Sequence, residues 1–151
     1  MTLRQLLVVP SLICMATTLS AEDQKAKAQS LVKEAIAFGK KNGKDALLKE
    51  ANSANGRFHV NAENSLYVFI YDKTGTCLAM GYSANLVNVN RWNLKDADGL
   101  LVIQALIKGS TVKGGSWVDY RYLNPKNGQI QPKSSWVEAL DDWMVGCGYY
   151  K

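Results

Sequence analysis

A chain of 151 residues, 47% apolar and 21% charged, has enough apolar material for one domain with its own core, and its composition excludes a disordered or fibrous protein. The formal charge of +5 comes from dispersed basic residues, of which only Lys40 and Lys41 are adjacent, so a clustered nucleic-acid-binding face is excluded. The single histidine, His59, rules out a standard zinc site when joined only by widely spaced cysteines, and no nucleophile lies near it in sequence.

Residues 1–21 read as a secretory signal peptide. Arg4 is the lone basic residue, the apolar run Leu6 to Ala16 follows, and Leu19-Ser20-Ala21 places a small residue at the cleavage point. The run falls short of the ~20 apolar residues that a membrane span needs. Cleavage after Ala21 leaves a net charge of +4 and an exported chain that does not insert in a membrane. A bacterial periplasm is the expected location.

The mature chain, residues 22–151, is expected to be one domain. Ala21 to Lys41 predicts an amphipathic helix, with Ala28, Leu31, Val32, Ala35, Ile36 and Gly39 on one face. Asn42-Gly43 ends it, and Lys44 to Ala51 predicts a second, shorter helix. Asn52 to Asn64 is polar and reads as a loop.

Leu66 to Tyr71 is β-branched, aromatic or Leu throughout, and apolar on both alternating sets of positions. Such a strand is covered on both faces, so it should be internal to its sheet. Asp72-Lys73-Thr74-Gly75 makes a turn, and Thr76 to Tyr82 returns antiparallel. Ala84 to Val87 suggests one helical turn, and Asn88 to Lys95 reads as irregular, with Arg91-Trp92 exposed. Asp96-Ala97-Asp98-Gly99 has the outline of a calcium loop, but in that register positions one and twelve would be Leu94 and Ala105, neither a suitable ligand. It reads instead as the capped start of a helix from about Asp98 to Lys108. Three strands follow: Ser116–Leu123, Gln129–Leu140 and Trp143–Tyr150.

The order predicts an α+β fold. A five-stranded antiparallel sheet should have the long N-terminal helix on one face and the segment Ala84 to Lys108 on the other. Cys77 and Cys147 remain after cleavage. If the last strand pairs with Leu66–Tyr71 on the side opposite Thr76–Gly81, two strand spacings of ~4.8 Å separate them, which exceeds the ~7 Å Cα limit for a bridge. Buried free thiols are therefore slightly favoured over a disulfide.

One constellation suggests a binding site. Tyr120 and Tyr122 share a face by period two, and Lys133 on the next antiparallel strand can point the same way. A lysine framed by tyrosines makes a small apolar cup with an anion-binding end. The plainer alternative is a surface lysine lying over core tyrosines.

The runs Leu66–Asp72 and Gly75–Gly81 resemble the single Cache domain family. So do Asn85-Leu86-Val87, Leu94–Gly99, Gly115–Tyr120, Asn124-Pro125, Pro132–Val137 and Val145–Tyr150, in that order across the mature chain. The resemblance implies an extracytoplasmic PAS-like sensor domain that binds a short organic acid beside the sheet and signals through a membrane receptor or histidine kinase. It implies that Lys133 anchors a carboxylate and that Tyr120 and Tyr122 frame it. Many members have His where Met80 stands, and Trp136 replaces the Tyr found after Lys-x-Ser. Met80 and Trp92 are expected to close the apolar end of the site. No cofactor, metal or catalytic group is expected. The competing function is a non-catalytic envelope interaction protein without a small ligand.

Overall fold

The computed structural model describes residues 20–60 and 66–151. Apart from Ser20 and Ala21, the predicted signal peptide lies outside the described residues, as does the 61–65 part of the predicted loop.

Helix α1, Ala21–Asn42, begins with a capping box in which Ser20 and Asp23 satisfy each other's free backbone groups. Its buried stripe is Ala28, Val32, Ala35, Ile36 and Gly39, and it lies across the sheet. Gly43, at φ 94°, turns the chain sharply into α2, Lys44–Asn52. Asn52 at the end of α2 clamps the sheet edge, donating to Leu78 O at 3.1 Å and accepting from Met80 N at 3.1 Å.

The sheet holds β1 (Val68–Asp72), β2 (Cys77–Met80), β3 (Ser116–Asn124), β4 (Gln129–Leu140) and β5 (Trp143–Tyr150) in the antiparallel order β2-β1-β5-β4-β3. As expected, β1 is internal and buried on both faces. Val68 and Ile70 join the core under α1 and α2. Tyr67, Phe69 and Tyr71 point to the opposite face, where α3 (Val102–Ser110) packs. A 3-10 turn at Ala84–Leu86 precedes the stretch that covers the outer edge of β2. There Asn88 N donates to Cys77 O, and Cys77 N donates to Val89 O.

The third helix differs from its prediction. It starts at Val102, and Asp98 does not cap it. Asp96 instead closes a turn, its Oδ1 accepting from Asp98 N at 3.0 Å and Leu100 N at 2.9 Å, while its Oδ2 accepts from Arg121 N at 3.1 Å. An Asx turn and a helix cap use the same residue types, and here the tie to β3 decides for the turn.

Cys77 and Cys147 are buried free thiols. They sit on opposite faces of the sheet, on strands that flank β1, so no bridge can form between them. Among the described residues no helix is long and apolar enough to cross a membrane.

Candidate functional site

The centre of the α3-facing side of the sheet is β5, and there it carries two glycines. Met144, Gly146, Gly148 and Tyr150 alternate on that side, and β-carbons at the glycines would strike the Phe69 ring at 2.4 Å and Ser135 Oγ at 2.0 Å. The gap left by the missing side chains lets groups from β1 and β4 lean together across β5.

Lys133 comes from β4, opposite Tyr120 on one side and Tyr150 on the other. It is 1% exposed, so the surface-lysine alternative is overturned. Its Nζ donates to Tyr67 Oη at 2.6 Å and Tyr150 Oη at 3.4 Å, and Tyr150 Oη in turn donates to Leu123 O at 2.6 Å. Four rings surround the amine, with centroids at 4.1 Å (Tyr67), 4.7 Å (Tyr150), 5.4 Å (Tyr122) and 5.6 Å (Phe69). No carboxylate pairs with it among the described residues. Loss of water pushes its pKa down to about 7.

Beside this amine lies a cup walled by Tyr67, Phe69, Tyr71, Met80, Val102, Ile103, Leu106, Tyr120 and Tyr122, enclosing about 10 Å³, room for a single water. Lys133 does not line that space, but Tyr67, whose hydroxyl it bonds, does. Tyr71 Oη is buried with no hydrogen-bond partner, although the Arg91 guanidinium is near enough to favour its ionised form. Burial keeps Tyr67, Tyr71 and Tyr120 protonated, holding each phenol well above its usual range. Tyr120 Oη is paired with Ser135 Oγ at 2.9 Å. Tyr122 Oη accepts from Arg91 and lies within hydrogen-bond reach of the Tyr82 hydroxyl.

The structure thus brings Tyr120, Tyr122, Lys133 and Met80 to one face. Trp92 stands apart. It is 38% exposed and packs over Gly75 in the β1–β2 turn, so it does not wall the cup. Three residues around the amine and cup were not singled out from sequence as site groups. Tyr67 and Tyr71 fall in a sequence run that is apolar on both alternating sets and so reads as core, and Tyr150 falls in a strand whose sequence carries no site motif. Period two on β1 and the β4–β5 register are the signals that would have found them. Arg91, read as exposed, is half-buried. Its N–H is pinned to Gly75 O at 2.8 Å, and its side chain turns under Tyr122.

Outside the cup, and sharing Val102 and Tyr122 with it, is an open recess of about 300 Å³ lined by Arg91, Lys95, Asp96 and Arg121 among others. Among the described residues, no three His, Cys, Asp or Glu side chains gather as a metal site would need.

The chain matches the family "Single Cache domain 2" over residues 3–151. It belongs to the single Cache domain family. The match begins within the stretch read as a signal peptide. A curated relative, the sensor histidine kinase MctS of Rhizobium johnstonii, is 38% identical over 87 residues, or 56% of this chain; the matched stretch spans only 18% of that kinase. Among solved structures, a methyl-accepting chemotaxis protein from Vibrio parahaemolyticus superposes with a TM-score of 0.71 at 24% identity, covering 85% of this chain and 89% of that one. The periplasmic sensor domain of a chemotaxis protein gives a TM-score of 0.65 at 22% identity, covering 86% and 96% of the two chains. A Cache chemosensory domain solved in work on carboxylic acid recognition gives 0.64 at 19% identity, covering 86% and 92%. These likenesses establish the PAS-like sensor fold. Cache domains are extracytoplasmic sensor domains, typically non-catalytic ligand-binding modules used in chemotaxis and signal transduction.

Proposed function

We propose that this Cache domain is exported to the periplasm, binds a short organic acid through its carboxylate, and passes its occupancy to a membrane receptor or histidine kinase. The observation that carries the reading is the Lys133 amine, buried among four aromatic rings with no carboxylate partner among the described residues. An ammonium withdrawn from water is costly unless an anion meets it, and in a partly desolvated site that pairing is stronger than in water. Tyr67, Tyr122 and the unpartnered Tyr71 hydroxyl offer donors to the same group. Phe69, Met80, Ile103 and Leu106 offer apolar walls to a short carbon chain. A carboxylic acid is also what one of the structural relatives is described as recognising.

The competing role, an envelope interaction protein without a small ligand, has one observation on its side. The cup is nearly filled by its own side chains. A thermal-shift screen of small carboxylates separates the two. A ligand of the native state raises the melting point by mass action. The binding role predicts a dose-dependent rise with at least one short acid; a flat response to every carboxylate at millimolar concentration would refute it.

A further inference from the structure

Tyr122 has two basic groups within reach of its ring. Lys133 Nζ lies 5.4 Å from its ring centroid, and Arg91 Cζ lies 5.6 Å from the same point, so the two charges are at most about 11 Å apart. Arg91 also donates to the Tyr122 hydroxyl and approaches that of Tyr71. Neither cation has a carboxylate partner among the described residues. Tyr122, with Val102, lines both the cup and the recess, so the two spaces adjoin at its side chain.

We propose that Arg91 is a second anion-recognising group and that the domain favours an elongated organic dianion, a short α,ω-dicarboxylate, over a monocarboxylate of equal length. This rests on the Lys133 reading, which supplies the first anchor. Three observations carry the extension. The Arg91 guanidinium is a planar fork suited to bidentate carboxylate binding, and here it is engaged only by phenols. Tyr71, buried and lining the cup, is a second phenol within reach of the Arg91 side chain. The recess on the Arg91 side adds Lys95 and Arg121, while its one acid, Asp96, is already held by three backbone N–H donors. Allowing about 2.8 Å for each charge-assisted bond leaves at most roughly 5 Å between the anionic groups, which limits the spacer to no more than about two methylenes. Rotation of Tyr122 away from Arg91 would join cup and recess and free the guanidinium for its anion.

The test is calorimetric titration of the full chain with succinate and with butyrate, repeated on R91Q, R91K and K133M, each first checked for a cooperative melt. The parent should bind succinate at least tenfold more tightly than butyrate. R91Q should lower the succinate-to-butyrate affinity ratio fivefold or more, with R91K between the two. A parent ratio below ten, or a ratio that R91Q changes by less than fivefold, overturns the proposal. K133M reports on the underlying reading separately: it should weaken both acids. If K133M binds both as the parent does, the Lys133 anchor itself fails, and the two-cation span fails with it.

Discussion

Lys133 on β4 and Tyr67, the residue just before β1, meet at 2.6 Å although β5 lies between β4 and β1. The contact spans two strand spacings, and it is possible because β5 presents Gly146 and Gly148, rather than side chains, to that face. An amine, a phenol and a gap in the sheet surface are thus one device.

That device makes a stability prediction with a definite sign. Burial lowers the pKa of Lys133 from 10.5 to about 7 in the folded chain. Between these values the unfolded chain holds the proton and the folded chain does not. Stability contributed by this group therefore rises with pH from about 7 to 10.5, by up to about 1.4 kcal/mol per pH unit, and levels off below 7. Urea denaturation of the parent and of Lys133→Met at pH 6, 8 and 9 isolates the effect. The gap between the two should shift in the parent's favour as pH rises; a pH-independent gap would count against an unpaired buried amine.

Gly148→Ala tests the sheet gap. The new methyl group would lie 2.0 Å from Ser135 Oγ and 2.5 Å from Ser134 O, and the latter is backbone that cannot rotate away. Overpacking of this kind costs about 1–3 kcal/mol. The urea midpoint should fall accordingly, and an unchanged midpoint would show that β4 and β5 can separate without cost.

Much of the fold was legible because its strands repeat one pattern strongly. The bounds of β4 and β5 match their predictions, and the position of β1 inside the sheet followed from its two apolar faces. The start of α3 was misplaced because Asp96 and Asp98 suit a turn as well as a cap, and the tie from Asp96 to Arg121 is a long-range fact. Lys133, Tyr120 and Tyr122 share a face through local period two, which sequence shows. The burial of Lys133 depends on Tyr67, 66 residues away, and on glycines in a third strand. Arg91 looked exposed because nothing local reveals that Gly75 and Tyr122 hold it in.

The N-terminus offers a separate check. Ser20 caps α1, its Oγ accepting from Asp23 N at 3.2 Å. Cleavage after Ala21 would remove that cap, at a cost of about 1 kcal/mol to the helix. N-terminal sequencing of exported protein should begin at Glu22 or within a few residues of it. A mature form that still carries Arg4 would contradict release from the membrane.

The central claim is that Lys133 anchors a carboxylate, and Lys133→Met tests it most directly. The substitution keeps much of the side chain's bulk and removes its charge. Calorimetry with the strongest carboxylate from the thermal-shift screen should show a loss of roughly 1.5–3 kcal/mol of binding, the scale of a hydrogen bond to a charged group. If the folded variant binds that acid as tightly as the parent, Lys133 is a structural lysine and the carboxylate-anchor assignment is wrong.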